Sequence, residues 1–155
     1  MQNQYNEYCS YLVGELTKLI SINAEEFKIL LDYFHCRNVS KGVTLWREGD
    51  DCDYIAFVAS GRVMISKETE LKGNPVVLGI YGTGSFIGAL CILDNSGRAV
   101  TAETLDDTSL MIITKENFDK LMNENPALWG KLLKGILLSV SKRLKSSFER
   151  LVTVF

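Results

Sequence analysis

The sequence predicts a mainly β protein, a sandwich or barrel of short strands with helices on both sides. Nine of the 12 glycines lie between residues 42 and 97, where they separate short runs rich in β-branched and aromatic residues. Turns about every 8 to 12 residues favour an antiparallel sandwich or barrel over alternating strands and helices. Outside this zone apolar residues recur at helical spacing. We therefore expect helices over 1–37, strands over 38–114 and helices over 115–155.

Length and composition indicate one compact domain over 1–155. The chain has 155 residues, 46% of them hydrophobic, and a net charge of -2, which excludes intrinsic disorder and a globally basic nucleic-acid binder. No stretch approaches the roughly 20 apolar residues that span a bilayer. The polar N-terminus lacks the basic-then-apolar order of an export signal, so we expect a cytoplasmic protein without membrane contact.

The histidine and cysteine content argues against an enzyme. His35 is the only histidine, too few for a histidine-rich metal site, and it would have to serve alone in any catalytic triad. Cys9, Cys36, Cys52 and Cys91 contain no C-x-x-C pair, so neither zinc nor a redox motif is indicated. We expect these cysteines to be reduced and mostly buried. No catalytic residue and no metal ligand is assigned.

The N-terminal zone reads as two helices. Apolar residues at helical spacing form the first of them: Tyr11, Leu12, Leu16, Leu19 and Ile20. Asn23 and Glu26 form a capping-box-like pair at the start of the second helix, with Ile22 and Phe27 as its hydrophobic staple. This helix is expected to end near His35, whose imidazole would complement the helix dipole.

Six runs in the central zone predict strands: 43–46, 54–58, 62–66, 76–81, 100–104 and 109–113. Ser60-Gly61 and residues 72–74 are predicted hairpin tips, and the Gly82 to Gly84 segment is a third break. Phe86 and Ile87 have the character of a short buried strand.

After the strands the helical pattern returns. Thr114 can cap a helix, and Asn125-Pro126 opens a final helix of about 28 residues, roughly 42 Å long. Its apolar residues follow a heptad-like seam: Leu133, Leu137, Val140, Leu144, Leu151 and Phe155. Such a helix either folds back on its own core or pairs with a second copy in a parallel dimer.

The same helix is basic. Its cations are Lys131, Lys134, Lys142, Arg143, Lys145 and Arg150. We interpret them as the solvated side of an amphipathic dimer helix, with contact to nucleic acid or an anionic partner as the alternative.

Residues 84–100 carry the strongest functional indication. Gly88 allows close backbone approach and precedes Ala89–Leu93, an apolar segment long enough for one helical turn. Free N–H groups at such a start favour an anion. Ten residues later Arg98 brings a guanidinium to the next strand, and an arginine there can hold a phosphate through two hydrogen bonds.

Five stretches of the central zone carry a resemblance to a known family: Gly42, 46–50, 54–63, 84–88 and Arg98-Ala99. Together they resemble the cyclic nucleotide-binding domain of catabolite-activator/Fnr regulators and kinase regulatory subunits. The resemblance implies an eight-stranded jelly-roll β-roll over 38–114, N-terminal helices and a long C-terminal helix. It also implies that 84–100 is a phosphate-binding cassette, with Arg98 on the cyclic phosphate and the Leu90 and Ala99 backbones lining it.

Two positions depart from the family pattern. Ala89 stands where the family has the glutamate that accepts from the ribose 2′-hydroxyl, and Gly97 replaces a proline. Losing the carboxylate contact costs roughly 1.5–3 kcal/mol, or about 10- to 150-fold in affinity. The candidate ligand-binding residues are thus Gly88, Ala89, Leu90, Arg98 and Ala99. The ligand is cAMP, cGMP, another small anion, or none.

The resemblance implies a regulatory or sensory module that signals through a C-terminal dimer helix. The alternatives are a non-binding interaction module and the sensory half of a transcription regulator. Family regulators carry a helix-turn-helix after the long helix, and this chain ends at Phe155, so no direct DNA binding is expected.

Three smaller alternatives remain open in the sequence. Glu103 could replace the missing carboxylate, although a solvated strand residue is favoured. The acidic turn 48–53 lacks the ligand spacing of a calcium loop, so a solvated turn is favoured there. His35 could bind haem, with the helix-dipole role as the default.

Overall fold

The computed structural model describes residues 14, 16–71 and 73–155. Within them, eight strands form two four-stranded antiparallel sheets. The strands are β1 His35–Val39, β2 Thr44–Trp46, β3 Tyr54–Ser60, β4 Val63–Lys67, β5 Val76–Tyr81, β6 Phe86–Ile87, β7 Thr101–Thr104 and β8 Thr108–Thr114. The first sheet has the order β1-β8-β3-β6, and the second has the order β2-β7-β4-β5. The mainly β roll with flanking helices is confirmed.

The first sheet is covered on both faces, which explains the continuous apolar run in β3. Ala56 and Val58 pack between the two sheets, together with Val63 and Ala102 of the second sheet. The alternate residues of β3, such as Phe57, pack against the flanking helices. A strand buried on both faces shows no alternation of apolar and polar residues.

Four helices complete the described fold, in addition to helical backbone at residues 16–20. They are α1 Ala24–Leu31, α2 Leu90–Asp94, α3 Lys115–Glu124 and α4 Pro126–Val154. The three predicted N-caps are confirmed, since Asn23, Thr114 and Asn125 each accept a backbone N–H bond in the first turn. Tyr11 and Leu12, assigned to the first helix, lie outside the described residues.

The expected end of the N-terminal helices is wrong. Helix α1 ends at Leu31, and His35 already pairs with Ile112 as the first residue of strand β1. Four of the five β1 side chains are exposed, because the strand lies at a sheet edge. An edge strand without buried alternate residues leaves little periodicity to read. His35 is therefore not a helix C-terminal residue.

The Ser60-Gly61 turn is not a hairpin tip. Strands β3 and β4 belong to different sheets, so the turn carries the chain across the roll. Gly61 has a φ of +84°, and a Cβ there would lie 2.6 Å from the Asp107 carbonyl oxygen. By contrast, β4 and β5 pair directly, which confirms a hairpin across Gly73; Lys72 is outside the described residues.

Helix α4 packs its N-terminal half on the core and exposes apolar residues further along. Leu132, Gly135 and Ile136 are buried, and a Cβ at Gly135 would collide with Ile20. Leu133 and Val140 of the predicted seam pack against the core, as in the folded-back alternative. The exposed apolar side chains include Leu137, Leu144, Phe148, Leu151 and Phe155. No helix in the described part of the chain is both long and apolar enough to cross a membrane.

Candidate ligand-binding cavity

A cavity of about 560 Å³ lies between the second sheet, the 84–100 segment and helix α4. Its lining is mostly apolar. The lining residues are Trp46, Ile65, Val77, Leu78, Tyr81, Ile87, Gly88, Ala89, Leu90, Cys91, Arg98, Ala99, Val100, Val140, Arg143, Ser147, Arg150, Leu151 and Val154. The volume falls in the range of small-molecule sites, which run from about 300 to 1,000 Å³.

The five residues selected from the sequence all border this cavity: Gly88, Ala89, Leu90, Arg98 and Ala99. Strand β6 ends at Ile87, and helix α2 begins at Leu90, so the predicted short strand and helical turn are confirmed. The fold therefore brings the two ends of the 84–100 segment together. Whether these residues bind a ligand stays a prediction.

Arg98 is buried, with 3% of its surface exposed. Its Nη1 donates to the Gly88 carbonyl (3.1 Å) and its Nη2 to the Tyr54 carbonyl (2.8 Å). The guanidinium carbon lies 3.9 Å from the Trp46 ring centroid and 4.8 Å from that of Tyr54. The guanidinium group of Arg98 therefore makes several contacts within the protein, and these contacts stabilise the fold.

Two buried donors of this stack, Nε of Arg98 and Nε1 of Trp46, have no hydrogen-bond partner in the part of the chain that the structure describes. Burial lowers the pKa of Arg98, while the nearby Tyr54 and Asp53 act in the opposite direction. Arginine stays charged in proteins because its ordinary pKa is above about 12. Arg98 borders the cavity, so an anion that entered there would lie beside a buried positive charge.

The glycine at position 88 is required by Arg98. Gly88 has a φ of +75°, and a Cβ there would collide with Arg98 Nη1 and lie 2.9 Å from the Trp46 ring. The close approach expected from the sequence is thus confirmed, and the approaching group is the arginine. Ala89, at the position of the family glutamate, is 5% exposed. It packs in the hydrophobic core between the first sheet and the flanking helices.

Glu103 does not replace the missing carboxylate. In β7, Ala102 is fully buried and Glu103 points to the opposite face of the strand, outside the cavity lining. The solvated-strand interpretation agrees with this placement.

Carboxylates of the acidic turn 48–53 form hydrogen bonds and ion pairs within the protein. Asp50 accepts from the Arg47 amide (2.9 Å), and Glu48 pairs with Lys67 (2.6 Å). Asp53 lies 3.6 Å from Arg98 Nη2. In the described ranges no cluster of His, Cys, Asp and Glu has the arrangement of a metal site.

Cys52 and Cys91 form a disulfide, so the expectation of reduced thiols is wrong for this pair. The bond joins the 48–53 turn to helix α2 across 39 residues of sequence. The two Cα atoms lie 5.8 Å apart, a normal separation for a disulfide. Spacing alone could not reveal it, because the fold brings the two segments together. Cys36 is exposed rather than buried, and Cys9 is outside the described residues.

Helix α4 contributes two arginines that the sequence analysis assigned to a solvated face. Arg143 stacks on Tyr81, 4.3 Å from the ring centroid, and donates to Ser139 Oγ (3.2 Å). Burial lowers its pKa, and Tyr81 opposes this effect. Arg150 donates to the Leu78 carbonyl (3.0 Å). Their spacing of seven places them on the same helix face, which is the sequence feature that could have identified them.

The family of the chain follows from sequence comparison. Residues 36–125 match the family model of the cyclic nucleotide-binding domain. The cyclic AMP receptor protein of Thermus thermophilus is 30% identical over 102 residues, which are 66% of this chain and 47% of that protein. A lysophospholipase nte1 of Aspergillus fumigatus is 33% identical over 120 residues, 74% of this chain and 7% of the enzyme. The chain thus spans about half of the receptor and a small part of the lysophospholipase.

Solved structures show the same fold. A cyclic nucleotide-binding domain from Methylobacillus flagellatus KT aligns with a TM-score of 0.85 and 22% identity, covering 94% of this chain and 85% of that one. The Thermus thermophilus catabolite activator protein aligns with a TM-score of 0.71 and 26% identity, covering 90% and 62%. These matches define the fold as a β-roll of the cyclic nucleotide-binding type. The chain belongs to the cyclic nucleotide-binding domain family, a class of regulatory domains.

Proposed function

We propose that this chain is a single non-enzymatic regulatory module, residues 1–155, that binds a small anionic ligand in the cavity and signals through helix α4. The observation that carries the proposal is that the 84–100 segment and α4 line the same cavity. A ligand there would touch both the rigid roll and the helix. Binding can shift the helix only if the ligand favours one helix position over another.

Direct contacts between the roll and α4 support this coupling. The Phe86 amide donates to Ser139 Oγ on α4 (3.2 Å), next to the start of the ligand segment. Arg150 on α4 bonds to the Leu78 carbonyl of β5. A ligand that displaced either contact would change how the C-terminal half of the helix rests on the roll.

The first ligand candidates are cAMP and cGMP. A structure described as cAMP-bound PfPKA-R (141–441) is 29% identical, with a TM-score of 0.67 over 77% of this chain and 43% of that one. Arg98 lines the cavity, and its guanidinium is the group that would bind a cyclic phosphate. Ala89 supplies no acceptor for the ribose, so wild-type affinity should be about 10- to 150-fold below that of a glutamate-bearing site.

Calorimetric titration with cAMP and cGMP tests this ligand assignment. We expect weak binding by the wild type and a gain of about 10- to 150-fold in Ala89→Glu. Ala89→Gln is the matched control, since it adds a side chain of similar size without the negative charge and should gain much less. Absence of heat in both the wild type and Ala89→Glu at millimolar nucleotide would exclude these two ligands.

A second candidate is a non-binding interaction module. It is favoured by the internal hydrogen bonds of Arg98 and by the packing of Ala89 in the core. In this alternative the roll is a scaffold and the exposed apolar residues of α4 find a partner chain. The further alternative, a sensory half whose DNA-binding domain lies elsewhere, fits the 47% coverage of the receptor protein.

A further inference from the structure

Two arginines of helix α4 reach the cavity without an acidic partner. Arg143 and Arg150 both line it, and neither forms an ion pair with a described carboxylate. Elsewhere in the same helix Lys131 pairs with Glu26 at 2.7 Å. Among the described residues that line the cavity there is no Asp or Glu. The helix side of the cavity is therefore positively charged.

Internal contacts hold the two guanidinium groups in place. Arg143 is fixed by the Tyr81 ring and by Ser139. Arg150 is fixed by the Leu78 carbonyl and by Ser147 Oγ, the latter at 3.4 Å. These partners are neutral, so they orient the arginines without neutralising them. Arg143 is partly buried, and a partly buried charge without a counter-charge is costly, so an anion beside it would relieve that cost.

A second cavity, of about 470 Å³, is also lined by Arg143 and Arg150. Its described lining is more polar and includes Thr83, Ser85, Ser146 and Lys142, with no acidic side chain among the described residues. Arg143 and Arg150 thus lie where a mostly apolar cavity meets a polar, cationic one. This arrangement matches a molecule that has an apolar body and one charged end.

Building on the proposed function, we propose that the ligand is an anionic amphiphile. Its aliphatic or aromatic body fills the apolar cavity, and its carboxylate or phosphate head binds Arg143 and Arg150. A cyclic nucleotide fits this end of the cavity less well. With its phosphate at Arg98 it has no second negative charge for the helix arginines.

Binding of decanoate and decyl phosphate, below their micelle concentrations, tests the proposal. Trp46 lines the cavity, so its fluorescence reports occupancy, and calorimetry gives the affinity. Decanol and decyltrimethylammonium have the same chain without the negative charge. We expect at least one anion to bind about ten-fold or more tightly than both controls. The better of the two anions identifies the head group as carboxylate or phosphate.

Charge variants locate the head group. Arg143→Gln and Arg150→Gln should each weaken binding of the better anion by about ten-fold or more. Lys145→Gln removes an exposed charge of the same helix that borders neither cavity and should leave binding unchanged. Thermal melting of each variant checks folding, and Arg150, which is exposed, provides the variant with the smaller folding risk.

The outcomes separate this inference from the proposed function. The arginine site would be overturned if the four decyl compounds bound equally well. It would also be overturned if Lys145→Gln weakened binding of the anion as much as Arg143→Gln and Arg150→Gln do. Heat with cAMP or cGMP but none with the decyl anions would overturn the amphiphile and leave the proposed function standing. No binding of any of these compounds would overturn both.

Discussion

Arg98 is both a ligand candidate and a structural residue. Its side chain joins Gly88, Tyr54 and Trp46, while its backbone pairs with the 48–53 turn through Gly49 and Asp50. The sequence identified Arg98 through its distance from Gly88. It could not show that the guanidinium bonds to the Tyr54 carbonyl, because that contact depends on the three-dimensional path of three separate segments.

Substitution of Gly88 tests this arrangement at the residue scale. Gly88→Ala should lower the free energy of unfolding by about 2–4 kcal/mol, since the added Cβ meets both a positive φ and the Arg98 side chain. Gly42→Ala is the matched control, because Gly42 has a φ of +79° and open space around it. Urea denaturation gives both values.

The control variant should lose about 1 kcal/mol, the cost of the backbone conformation alone. Equal losses in the two variants would mean that Arg98 does not occupy the space beside Gly88.

Among the elements, helix α1 carries a charge-dependent contact with α4. Glu26 caps its own helix through Asn23 and also accepts from Lys131 (2.7 Å). The Lys131 bond, followed by the Asn23 amide, lowers the pKa of Glu26 below its ordinary value of 4.5. A lowered folded-state pKa means that the stabilisation is complete above pH 4.5 and is lost as pH falls through the folded value.

Glu26→Gln therefore separates the charge from the cap, since glutamine also completes a capping box. We expect the wild type to be more stable than the variant at pH 7, with the difference shrinking as pH falls below about 4.5. Glu25→Gln removes the same charge one position away and should not reproduce this profile. A pH-independent difference in chemical denaturation would contradict the assignment.

The disulfide ties the acidic turn to helix α2. Reduction should lower the free energy of unfolding by about 2–4 kcal/mol, because the bond closes a long loop in the unfolded chain. Denaturation with and without reductant measures the effect. The double variant Cys52→Ser, Cys91→Ser should be less stable and insensitive to reductant. A wild type that does not respond to reductant would show that the two thiols are free.

Sequence patterns predicted elements well where one face is buried or a cap is required. The three N-caps and the β6–α2 turn follow from short local patterns. Strand β1 was missed because its side chains are mostly exposed. The Ser60-Gly61 turn was misread because a tight turn looks the same whether it joins paired strands or crosses between sheets. Strand pairing is a property of the whole roll.

For the whole molecule, the exposed apolar residues of α4 predict self-association. Leu144, Phe148, Leu151 and Phe155 follow 4-3-4 steps, with Leu137 one heptad before Leu144. This spacing matches a two-helix seam. We expect a homodimer by analytical ultracentrifugation, and Leu144→Glu with Phe148→Glu should shift it to monomer. Lys145→Glu changes the charge outside the seam and should preserve the dimer. A monomeric wild type at micromolar concentration would contradict this assembly.

The candidate site shows the same division between local and long-range information. The five cassette residues could be selected from sequence because they lie close together along the chain, in a segment that resembles a family pattern despite the departure at Ala89. The spacing of seven puts Arg143 and Arg150 on one helix face, but the sequence does not show that this face lies over β5 rather than in solvent. The disulfide likewise joins two cysteines, Cys52 and Cys91, that are far apart along the chain.

Hydrogen–deuterium exchange most directly tests the claim that a ligand in the cavity acts on helix α4. Exchange should be followed with cAMP, cGMP and decyl phosphate added separately. We expect at least one of them to slow exchange in 86–100 and in 137–154 together, while strand β1 is unchanged. Unaltered exchange in both segments with all three compounds would contradict it.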